Sequence, residues 1–116
     1  MHAGEKQLQQ EGRLLITDHG EYIIVNVYAP NAGERPARSR LGFKLSWFSA
    51  LKDKLSCFIR QGKQVILVGD LNIPRSRKDV HPDIVWDGLY TGEVRPLQAT
   101  LQHYVPRFSV YAMSHV

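Results

Sequence analysis

With a single cysteine, Cys57, the chain can form neither an internal disulfide nor a cysteine-based zinc cluster. It also has no apolar run near the roughly 18 residues that a membrane-crossing helix needs, which predicts no membrane partner. The opening residues Met1-His2-Ala3-Gly4-Glu5-Lys6-Gln7 lack the apolar core of an export signal. A reducing, intracellular setting is the expectation. Internal repeats and low-complexity tracts are missing too. What is there is the composition of one globular domain: 116 residues, 43% apolar and 22% charged, enough for a modest core. The net charge is +4, and basic residues gather in two runs, Arg35, Arg38, Arg40 and Arg75, Arg77, Lys78. Such runs suit a phosphate backbone, or are simply solvated loops; composition leaves both readings open.

The hydrophobic pattern predicts the elements. Arg13 to Thr17 and Glu21 to Tyr28 read as strands joined at Asp18-His19-Gly20, a hairpin. In the second strand Ile23, Val25 and Val27 share one face, with Tyr22, Ile24, Asn26 and Tyr28 on the other. From about Ser39 to Arg60 the period becomes helical, with Leu41, Leu45, Phe48, Leu51, Leu55, Phe58 and Ile59 on one stripe and Lys52 intruding on it. Gly62 stands where a C-terminal cap belongs. Gln64 to Val68 then reads as a strand covered on both faces. The order is that of an α/β fold with its chemistry at strand ends. Residues 1–10 are expected to fray. After Ile84 no period holds, and Pro96 and Pro106 interrupt any long helix.

Two clusters follow the apolar strands. One is Gly69-Asp70-Leu71-Asn72 after Val65-Ile66-Leu67-Val68; the other is Asn26-Val27-Tyr28-Ala29-Pro30-Asn31-Ala32-Gly33. Strand alternation would let Asp70 and Asn72 project to one side, as an acid/amide pair acting on a single phosphate. Each cluster alone also fits an ordinary turn, because Asp and Asn satisfy loop backbone well. Their joint presence suggests a nuclease.

These blocks, with Glu11-Gly12-Arg13, Phe43-Lys44 and Asp79-Val80-His81, resemble the exonuclease III-like apurinic/apyrimidinic endonucleases of the endonuclease/exonuclease/phosphatase superfamily. Thr17-Asp18-His19-Gly20 is most similar to the second eukaryotic type. The resemblance covers residues 11–84 with order and spacing kept. It implies that this stretch is the central part of a four-layered, DNase I-like α/β sandwich, incomplete at both ends, followed by an unmatched tail, 85–116. By position, Asp70 matches the aspartate that activates or orients the attacking water, and Asn72 the asparagine that positions that group and the phosphate. Tyr28 and Asn31 match phosphate contacts, and Asp79 a structural loop aspartate. The implied reaction is Mg²⁺-dependent hydrolysis of double-stranded DNA on the 5′ side of an abasic site, with 3′–5′ exonuclease action or trimming of 3′ ends. Mn²⁺ is the alternative ion, and Asp70 and Asn72 would touch it. A nuclear location would follow in a eukaryote. The chemistry agrees: Asp70 can take the proton, while Asn72, Asn31 and the Tyr28 hydroxyl can donate to phosphate oxygens without adding negative charge.

The family's metal-holding asparagine and glutamate, its later aspartate and its Ser-Asp-His histidine have no counterpart in the sequence. The isolated chain is therefore expected to be unstable and nearly inactive, with exposed strand edges that invite self-association. Two other readings remain: a non-catalytic remnant that binds nucleic acid or a partner through its basic loops, and a fragment of a retrotransposon-type endonuclease. Leu71 and Glu11-Gly12-Arg13 favour the repair type over the latter.

Overall fold

The computed structural model describes residues 3–34, 37–74 and 76–102. Two strands, β1 (Leu14–Asp18) and β2 (Tyr22–Tyr28), form the expected hairpin. Its turn is closed by Asp18 Oδ1, which accepts from the Gly20 N–H at 2.9 Å, with Gly20 at φ +88°. A 20-residue helix, α2 (Leu41–Arg60), crosses back and delivers β3 (Gln64–Asp70) parallel to β2. The sheet order is β1-β2-β3, and the mixed α/β architecture expected from the sequence is borne out.

Helix α2 ends as its glycine predicts. Gly62 has φ +81°; its N–H donates to Ile59 O, and that of Lys63 donates to Phe58 O. This double closure satisfies carbonyls that the last turn leaves open. Val65 then enters the core beside Ile23, and Leu67 beside Val25, in the parallel register.

Alternation decides which face of the sheet is covered. Ile23, Val25, Val27, Val65 and Leu67 are buried, with Leu14 and Ile16 packed against them. Trp47, Phe48, Leu51 and Leu55 of α2 complete that core. The opposite face carries Leu15, Tyr22, Tyr28 and Ile66, all exposed. The expectation that β3 is covered on both faces is thus corrected. Val65 and Leu67 are buried, but Ile66 between them is open, because the described residues place no second layer there.

Both chain ends depart from expectation. Residues expected to fray form α1 (Ala3–Gln9), which packs on α2 and buries Leu8. From Trp86 the chain is helical to Gln102: α3 (Trp86–Leu89), a π turn (Tyr90–Val94) and α4 (Arg95–Gln102) follow one another without leaving helical backbone. Leu89, Val94 and Leu97 enter the core. Pro96 lies in the first turn of α4, just after the π turn has shifted the hydrogen-bond register, which is where its missing N–H is tolerated. Pro106, the later histidines and the rest of the tail lie outside the described residues.

Candidate functional site

Parallel pairing brings the two motif clusters together. Tyr28 and Asp70 are register partners at the ends of β2 and β3, on the open face of the sheet. Gly69 makes this junction, with φ +111° and its α-carbon so close to β2 that an added Cβ would lie 2.1 Å from Val27 O. No other residue fits. Beyond the strands, the Ala29 N–H donates to Asp70 O at 2.8 Å, and Asn72 Nδ2 donates to Ala29 O at 2.9 Å. Ala29 is thereby held by both residues of the acid/amide pair.

Asn72 does not continue the strand. Its φ of +52° is left-handed, a conformation asparagine tolerates better than most residues. The turn directs its N–H at Asp70 Oδ1, 2.8 Å away, and carries its side chain into the protein, where the residue is buried. The pair is therefore organised by a local turn rather than by side chains two apart on one strand.

The remaining positions differ in setting. Tyr28 is exposed; the Arg13 guanidinium lies over its ring, 5.1 Å from the centroid, and Arg13 Nη1 donates to Tyr28 O at 3.0 Å. Asn31 is exposed, and its Oδ1 accepts from the Gly33 N–H at 2.8 Å, which turns the loop. Asp79 lies further along: its carboxylate accepts from the Ser76 N–H at 3.0 Å in a reciprocal cap over the short 3₁₀ turn Arg77–Asp79.

Beneath the Asp70–Asn72 turn lies a group that the hydrophobic pattern did not single out. Lys44 is buried at the centre of the α2 stripe, and its Nζ donates at 2.6 Å to both Asn72 O and Glu93 Oε1. Glu93, on the π turn, also accepts from Arg38. Burial holds the Lys44 ammonium below the ordinary lysine pKa, and the Glu93 carboxylate opposes that shift. The signal is present in the sequence as a lysine within an apolar stripe; Lys52, which intrudes on the same stripe, is only half-buried.

Of the four described residues in the basic runs, three are engaged within the chain. Arg38 pairs with Glu93, Arg40 with Glu11 at 3.0 Å, and Arg77 donates to the carbonyls of Val80 and Pro82. Lys78 is exposed, whereas Arg35 and Arg75 lie outside the described residues.

A divalent cation is poorly served. Among the described residues no three acidic, histidine or cysteine side chains converge, and the carboxylate where β2 and β3 end is that of Asp70, already accepting from Asn72. One carboxylate does not make a resident Mg²⁺ or Mn²⁺ site, which needs six oxygen ligands with substrate or water supplying the rest.

No family model matches the chain. It is, however, similar in sequence to curated nucleases. It is 31% identical over 77 residues to an exodeoxyribonuclease of Bacillus subtilis, across 66% of this chain and 29% of that protein. It is 35% identical over 74 residues to a DNA-(apurinic or apyrimidinic site) endonuclease of Dictyostelium discoideum, across 60% and 19%. It is 31% identical over 77 residues to DNA-(apurinic or apyrimidinic site) endonuclease 2 of Xenopus laevis, across 58% and 14%. These relatives bear out the resemblance read from the motifs, and their names are those of a hydrolase family. The chain spans less than a third of the length of each.

Proposed function

We propose that this chain, a sequence relative of exodeoxyribonucleases and apurinic/apyrimidinic endonucleases, carries the phosphate-contacting part of a DNA repair nuclease. The reaction is phosphodiester hydrolysis on the 5′ side of an abasic site in duplex DNA, with 3′–5′ exonuclease action or trimming of 3′ ends, as a step of base excision repair. The observation that carries the reading is the registered meeting of Tyr28 with Asp70, locked by Ala29 and Asn72. In this reading Asp70 orients the attacking water and accepts its proton. Asn72 fixes the aspartate through its backbone N–H, and the Tyr28 hydroxyl and the Asn31 amide face the phosphate oxygens. Mg²⁺, or Mn²⁺ in its place, would be held mostly by ligands from elsewhere in the whole site, with the Asp70 carboxylate as this chain's contribution, since the expected second ligand, Asn72, is turned inward to Ala29 O. The complete architecture would be a four-layered sandwich whose second sheet covers the open face, and the setting intracellular, nuclear in a eukaryote.

A second reading has its own support. With Asp70 alone as carboxylate at the ends of β2 and β3, and with Arg38, Arg40 and Arg77 engaged within the chain, the isolated chain would bind DNA or a partner without cutting it. The two readings separate on a duplex containing one synthetic abasic site, incubated with the purified chain in Mg²⁺ and in EDTA, with product ends mapped. Slow cleavage 5′ to the lesion, seen only with Mg²⁺, is expected. Retention of uncut duplex by a folded sample would favour the non-catalytic reading.

A further inference from the structure

The candidate site runs from the ends of β2 and β3 into two separate loops, Ala29–Gly33 and Leu71–Asn72, and each loop is gripped from below by a cation. Lys44 holds the second loop by donating to Asn72 O at 2.6 Å. Arg38 holds the first: its Nη1 donates to Gly33 O at 3.1 Å, and the Gly33 N–H in turn donates to Asn31 Oδ1. Both cations then meet on one carboxylate. Glu93 Oε1 accepts from Lys44 and Oε2 from Arg38, and the Glu93 side chain is almost wholly buried.

We propose that Glu93 is a positioning residue of the candidate site, the shared anion through which Arg38 and Lys44 fix the two site loops relative to each other. Three features argue for this beyond simple neutralisation. Each carboxylate oxygen serves a different cation, and each cation reaches the backbone of a different loop. Glu93 lies on the π turn, whose insertion into an otherwise continuous helix re-aims the side chains that follow from it. The flanking Val94 and Leu97 are buried, so the carboxylate is presented from a fixed platform. The segment after Ile84, which matched nothing in the motif pattern, thus supplies the tie between the motifs. A buried ammonium deprived of its counter-ion is strongly unfavourable, so Lys44 does not keep its place without Glu93.

The role in turnover rests on the nuclease reading; the mechanical role does not, and the experiment separates them. Backbone amide exchange is followed by NMR in the wild-type chain, in Glu93→Gln and in the double variant Lys44→Met/Glu93→Gln. The double variant removes the Lys44–Glu93 pair together and leaves only the partly exposed Arg38, so no unpaired ammonium stays buried as it does in Glu93→Gln alone. The expected result is exchange at least about tenfold faster at the Gly33 and Asn72 amides, with the central β2 amides unchanged. Uniform acceleration over the sheet would reduce Glu93 to a stability element, and unchanged exchange at Gly33 and Asn72 would remove the tie; either overturns the proposal. On abasic duplex, kcat should fall about tenfold with KM unchanged, because misplacement of Asp70 and Asn72 affects the transition state more than binding. A wild-type chain that cuts nothing would sink the nuclease reading while the exchange data still decide the tie.

Discussion

Gly69 is the residue on which the geometry of the site depends most. Any side chain there meets the Val27 carbonyl, and the backbone is already left-handed, so Gly69→Ala must push β3 away from β2. We expect a loss of about 3 kcal/mol or more, above the usual cost of a side chain at positive φ, read as a lower urea midpoint. Asn72 presents the reverse case, a left-handed residue whose turn is closed by its backbone N–H while its side chain bonds the neighbouring loop. Asn72→Gly keeps the backbone but removes the amide bond to Ala29 O; a net cost of about 1 kcal/mol is expected by the same measurement. Neither conformation is legible in the sequence. Alternation predicts that Asp70 and Asn72 point the same way, and only the backbone dihedral of Asn72 shows that they do not.

At the scale of elements, β1 is tied to the start of α2 through Glu11, which takes Arg13 at 2.9 Å and Arg40 at 3.0 Å. Hydrogen bonds from Arg13, then from Arg40, hold its carboxyl below the usual range. A carboxyl with a folded pKa below its unfolded value stabilises the fold above the unfolded pKa, and that contribution is lost as pH falls through the folded value. Glu11→Gln should therefore flatten the acid limb of stability below about pH 4.3, compared by urea melts from pH 6 downward. The elements themselves were legible where the period was unbroken. The alternation of β2 and the glycine stop of α2 stand as the pattern predicts. The helices after Ile84 were not, because the π turn and Pro96 break the 3.6-residue period that reveals a helix. Nor could the pairing of Arg38 and Lys44 with a carboxylate about 50 residues away be read from local pattern. Truncation after Ile84 should abolish cooperative unfolding, since it removes Glu93 with Leu89, Val94 and Leu97.

At the scale of the molecule, the covered and open faces of the sheet divide the account. The helix-covered face explains why a short chain has a core at all. The open face, with Leu15, Tyr22, Tyr28 and Ile66 exposed, is an apolar surface next to the site residues. Among the described residues no helix is long and apolar enough to cross a membrane. Self-association over it is the expected outcome in solution: sedimentation should give a mass that rises with concentration in the wild type and falls toward the monomer in Ile66→Lys. The central claim, that Asp70 at the end of β3 acts on a DNA phosphate, is tested most directly by the cleavage rate of an abasic-site duplex in Mg²⁺ for the wild-type chain against Asp70→Asn. The account predicts slow cleavage that drops at least about 100-fold in the variant, as loss of a general base requires. Equal rates in the two folded proteins would contradict it.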